Sequence, residues 1–132
     1  MKIAADTNVL LRDVLQDDPV QSPLARKTLQ HAEFVAIPVV ALCEFVWVLR
    51  QIYKRPAQEV AEAIRVLLDS HNVGMNEPAV EAGLAVLDQG GDFADGAIAF
   101  EGHWLGAGEF VSFDKQAVKL LKLQGKHARL LS

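Results

Sequence analysis

Sixteen consecutive positions, Phe34 to Leu49, read FVAIPVVALCEFVWVL and contain one charged residue, Glu44. So apolar a run must be largely buried, yet it falls short of the ~20 residues a membrane-spanning helix needs. Pro38 divides it: a proline cannot donate into a strand ladder but is well placed at the start of a helix. The run therefore reads as a buried strand, Phe34 to Ile37, followed by a helix that carries Glu44. An ionised carboxylate in such a setting either faces outward or meets a positive partner, because unpaired burial costs several kcal/mol on the order-of-magnitude scale. No Lys or Arg follows Glu44 before Arg50.

The same alternation runs along the rest of the chain. Lys2 to Asp6 is a short strand ending in the polar cluster Asp6-Thr7-Asn8, with a helix from about Asn8. Pro19 and Pro23 mark a loop, and Ser22 or Pro23 starts the next helix. Arg55-Pro56 breaks the helix of Glu44, and Gln58 to Ser70 regains helical spacing. Asn72 to Met75 is a weak strand, Glu77 to Leu87 a helix ended by Gly90-Gly91, and Asp92 to Trp104 another helix. Phe110 to Phe113 is a strand leading into Asp114, Lys115 to Leu123 a helix stopped by Gly125, and Ala128 to Leu131 a last strand.

Strands alternating with helices imply an α/β fold, with a parallel sheet covered on both faces. No repeat or linker divides the 132 residues, so 1–132 reads as a single domain. The lone Cys43 excludes an internal disulfide and suits a reducing compartment. With no secretory signal pattern at its start, the chain is expected to be soluble and cytoplasmic.

In such folds ligands bind beyond the carboxyl ends of the strands. Asp6 and Asp114 fall at predicted strand ends, and Glu44 and Asp95 lie early in helices that can point toward the same edge. Four acids without basic partners suit a hard divalent cation, which prefers oxygen ligands. Such a cation can activate water against a phosphodiester. Each acid also has a plainer reading: Asp6, Asp92 and Asp114 are all placed to cap helices. The net charge of −4, from 13 basic and 17 acidic side chains, argues only weakly against a nucleic-acid substrate, since two divalent cations would offset it.

Taken in order, these segments resemble a known family. Asp6-Thr7-Asn8 after a short strand, the lone Glu44, Asp92-Phe93-Ala94-Asp95 before Ala97-Ile98-Ala99, and Ser112-Phe113-Asp114 are similar to the PIN domain. The similarity is greatest to the VapC-type toxins of toxin–antitoxin pairs. That resemblance implies a three-layer α/β/α domain with a central parallel sheet of four to five strands. It implies Asp6, Glu44, Asp95 and Asp114 as the catalytic acids holding Mg2+ or Mn2+, with Asp92 as an accessory ligand and Thr7, Asn8 and Ser112 in support. The expected activity is endoribonuclease cleavage of RNA, such as transfer or ribosomal RNA, by a type II toxin that forms a homodimer and is silenced by a VapB-type antitoxin. The alternatives are a PIN nuclease in RNA processing and a non-catalytic PIN binding module. A phosphorylatable receiver domain would need an adjacent acidic pair after the first strand, and only Asp6 stands there.

Arg12, Lys115 and Lys119 are candidate phosphate contacts, the two lysines sharing one helical face. Arg50, Lys54 and Arg55 form a second basic cluster. The four histidines match no metal-ligand spacing, and Trp47 and Trp104 are expected in the core or at an interface.

Overall fold

Val35 is fully buried between two neighbours: β2 (Phe34–Ala36) pairs in parallel with β1 (Lys2–Ala4) on one side and β3 (Val73–Gly74) on the other. The computed structural model describes residues 1–132 and resolves them into two compact units, Met1–Asn76 and Glu77–Ser132. In the first, the register Ile3↔Val35↔Val73 is extended by Ala5 N–H donating to the Ala36 carbonyl (3.0 Å) and Ile37 N–H donating to that of Gly74 (3.0 Å). Pro38 ends β2 and opens α3 (Val39–Trp47), whose Ala41, Leu42, Phe45 and Val46 are buried. Parallel pairing requires crossovers, which α1 (Thr7–Leu15), α2 (Gln21–His31), α3 and α4 (Ala57–Leu68) supply.

Beyond Trp47 the helix widens into a π-helical turn, Val48–Ile52, closed by Tyr53 N–H on the Val48 carbonyl at 3.2 Å. Such wide turns are uncommon and concentrate at functional sites. Pro56 then starts α4, as the Arg55-Pro56 break predicts.

The second unit holds α5 (Glu77–Asp88), α6 (Phe93–Trp104), α7 (Lys115–Leu123) and the parallel pair β4 (Phe110–Ser112) and β5 (Ala128–Leu130). Val86, Val118, Leu120, Leu121 and Ala128 form its core. Gly125, at φ +80°, takes the left-handed turn that stops α7. Gly96 is buried within an unbroken α6, and a Cβ there would run into the Ala82 carbonyl of α5. It therefore permits close approach of two helix backbones.

The α/β class and the parallel strands agree with expectation, but the hydrogen-bonded sheet is smaller than four to five strands. Three strands pair in the order β1-β2-β3 and two more as β4-β5. The strands are only two or three residues long, so each ladder holds few bonds and the paired area stays small. No helix is long and apolar enough to cross a membrane.

Candidate metal centre

Asp6 follows β1 and caps α1. Its Oδ1 accepts from Thr7 N–H at 2.9 Å, while its own carbonyl accepts from Val9 and Leu10. Thr7 is buried, and its hydroxyl lies 3.3 Å from Glu44 Oε2 and 3.4 Å from the Ala41 carbonyl. One hydroxyl proton cannot serve both acceptors fully, so each bond is weak. Even so, Thr7 ties the start of α1 to the middle of α3 and sits between Asp6 and Glu44. Glu44 itself is exposed, on the side of α3 opposite Phe45 and Val46. Its apolar neighbours in sequence therefore enclose the far side of the helix, not the carboxylate.

The second unit gathers three aspartates. Asp92 caps α6 by accepting from Ala94 N–H at 3.2 Å, and Asp114 caps α7 by accepting from Ala117 N–H at 3.1 Å. Ser112 Oγ in turn accepts from Asp114 N–H at 2.9 Å, fixing the backbone from which that carboxylate projects. Asp95 lies half-buried in the first turn of α6. Its pKa is raised to about 6, first by desolvation and then by the negative charges of Asp92 and Asp114. The two charges that act on it have the same sign as its own.

Capping accounts for only part of these acids. Asp6, Asp92 and Asp114 each cap through Oδ1, which leaves Oδ2 with no hydrogen bond from the protein. The plain structural reading and the functional one are thus compatible, one oxygen for each. No group of three or more His, Cys, Asp and Glu side chains is gathered tightly enough to form a finished metal cage. The donor chemistry nevertheless suits a hard divalent cation: the acids offer free carboxylate oxygens, and Asp95 is in like-charge company that a cation would relieve.

Of the supporting residues, Thr7 and Ser112 make the contacts just described, and Asn8 is exposed. Arg12 is occupied: its guanidinium donates to the Tyr53 hydroxyl at 3.2 Å and pairs with Asp17 at 3.1 Å, which together hold its pKa above the ordinary value. Lys115 and Lys119 are exposed on α7. A hollow of ≈ 580 Å³ in the second unit, lined by Ile98, Phe100, His103, Phe110 and His127 among others, includes none of the candidate acids. A smaller one of ≈ 420 Å³ in the first unit is lined by Cys43, Glu44, Trp47 and Val48.

Trp47 and Trp104 are not core residues, being 54% and 75% exposed. The Thr7–Glu44 bridge spans 37 positions and leaves no sequence pattern by which it could be found.

Compared with known proteins, residues 3–122 match the family model of the PIN domain, a span that includes all five acids. No curated protein matches the chain.

Proposed function

This chain belongs to the PIN-domain family, whose members are generally nucleases, and on that premise we propose that it is a metal-dependent endoribonuclease, the toxin of a type II toxin–antitoxin pair. Asp6, Glu44, Asp95 and Asp114 hold Mg2+ or Mn2+, and Asp92 is an accessory acid. The observation that carries this reading is Asp95, a half-buried carboxyl surrounded by negative charge and lacking a counter-ion. Electrostatic frustration of this kind is retained where a ligand relieves it.

When bound, the cation supplies Lewis acidity, acidifying water and offsetting charge on the phosphodiester in the transition state. The chain's own residues orient and hold. Thr7 restrains Glu44 and, through its backbone N–H, Asp6. Ser112 restrains Asp114. Oδ2 of each capping aspartate is held in place by the helix that Oδ1 caps. Arg12, Lys115 and Lys119 take phosphates of the RNA, Arg12 exchanging part of its bonding to Asp17. The toxin acts in the cytoplasm as a homodimer and is silenced by a VapB-type antitoxin. Of the apolar residues in α1 and α2, Leu24 is exposed for such contacts, whereas Leu10 and Leu11 are core.

Purified protein supplied with Mg2+ or Mn2+ is expected to cut RNA. Asp6→Asn or Glu44→Gln should abolish cutting while leaving the circular dichroism spectrum unchanged. Cleavage that survives both substitutions would remove this site from consideration. Growth arrest on expression, relieved by the product of a small adjacent reading frame, separates a toxin from a processing nuclease. Absence of divalent-cation uptake in calorimetry would identify a non-catalytic module.

A further inference from the structure

Trp47 stands three residues beyond Glu44 on α3, is exposed, and borders the same shallow, apolar hollow as that residue. The opposite face of this helix carries the buried Phe45, Val46 and Leu49, so packing does not require a second large aromatic turned outward. The residues that follow have a consistent composition. Between Glu44 and Glu59 there is no acid, but there are three cations, Arg50, Lys54 and Arg55, interleaved with Trp47 and Tyr53.

The π-helical turn sets how these groups are presented. Arg50 donates to the Arg55 carbonyl at 3.1 Å, and Arg55 N–H donates to the Leu49 carbonyl at 2.9 Å, so the end of the turn is tied down. Tyr53 is held by Arg12 through its hydroxyl, with part of its ring exposed. Lys54 is exposed at φ +53°, a conformation that glycine adopts at lower cost. The one ion pair here, Arg55 with Glu59 at 3.5 Å, lies in solvent and is weak.

We propose that Trp47 through Arg55 is a track for single-stranded RNA leading to Glu44, with one nucleobase stacked on Trp47 and phosphates on Arg50, Lys54 and Arg55. This rests on the ribonuclease reading and adds to it a binding subsite outside the acids. Cations with no acid among them complement a polyphosphate, and an exposed indole face complements a base of any identity. The strand must be single, because a base inside a duplex already has both faces covered.

The test uses the full chain in a Trp104→Phe background, so that Trp47 is the one remaining tryptophan of the two. A twelve-residue oligouridylate is titrated in EDTA, alone and annealed to oligoadenylate. The single strand should quench Trp47 fluorescence and bind more tightly than the duplex. Its log affinity should fall with log salt at a slope of roughly −2, for three phosphates on a single strand. Trp47→Ala, read by anisotropy of labelled RNA, should weaken binding by roughly 5- to 100-fold, and Trp47→Phe by much less. Arg50→Gln with Lys54→Gln should reduce the slope to roughly −0.7.

Equal affinity for the duplex, or unchanged affinity in a folded Trp47→Ala protein, would overturn the track. So would a change of sedimentation state in Trp47→Ala with RNA affinity intact, which would mark a protein interface. Because the assay contains no divalent cation, it is independent of cutting. Binding as expected by a protein that never cleaves would leave the track and reject the nuclease, and cleavage indifferent to Trp47 would do the reverse.

Discussion

Asp95 is a destabilising residue in the isolated chain. Its folded-state pKa, about 6, lies above the value of roughly 4 expected when unfolded, so the folded chain holds that proton more tightly. Stability from this group is fully present below about pH 4 and is lost as pH rises to about 6. Without divalent cation, Asp95→Asn should therefore raise stability at pH 7 on the order of 1–2 kcal/mol, after allowance for partial solvation. It should also flatten the pH dependence between 4 and 6, as followed by urea unfolding at several pH values. No gain at pH 7 would show that Asp95 is not under strain. Lys54 permits a parallel measurement, since Lys54→Gly relieves a left-handed backbone. The variant should melt no lower than the parent and bind single-stranded RNA more weakly, separating the stability of that residue from its use.

Two helices, α5 and α6, depend on glycine for their separation. Helix propensity alone would make Gly96→Ala stabilising by about 1 kcal/mol. The Ala82 carbonyl occupies the space a Cβ needs, and overpacking costs about 1–3 kcal/mol, so the net effect should be a lower melting temperature. Differential scanning calorimetry of Gly96→Ala decides the sign. Residues that punctuate the backbone made most elements legible in the sequence: Pro38 and Pro56 open α3 and α4, Gly125 stops α7, and the acids stand at the helix starts expected of them. The π-helical turn was not legible. Its hydrogen bonds run one residue further than those of an α-helix, and backbone bonding of that kind selects no side-chain type. The outward face of α3 was hidden for a different reason. When nearly every position is apolar, periodicity cannot show which face is wet, so Trp47 reads as a core or interface residue. The four acids stood out because charge in apolar surroundings is conspicuous, whereas the threonine that steadies Glu44 is conspicuous only in space.

The chain as a whole carries a charge of −4 and offers carboxylate oxygens that no protein donor uses. A cation bound only by the folded state stabilises it by mass action, by about 2.7 kcal/mol at a hundredfold excess over its dissociation constant. Mn2+ or Mg2+ should thus raise the melting temperature of the parent, and the rise should vanish in an Asp6→Asn, Asp95→Asn double variant. An equal rise in both would assign the effect to nonspecific screening. Such binding also removes negative charge near the acids, so RNA affinity should increase with divalent cation beyond what ionic strength explains.

The turn at Val48–Ile52 has a consequence for how this molecule can change. A π-helical turn is an α-helical one with a residue to spare, so losing one codon there would restore ordinary winding without breaking the helix. The wide turn already absorbs that residue, so what lies beyond it would keep nearly its direction, and Tyr53 and Lys54 would stand one position nearer Trp47 along the chain. The spacing between the stacked base and its phosphates is thus a stepped variable, reset by small insertions and deletions, while point substitutions adjust only the strength of each contact.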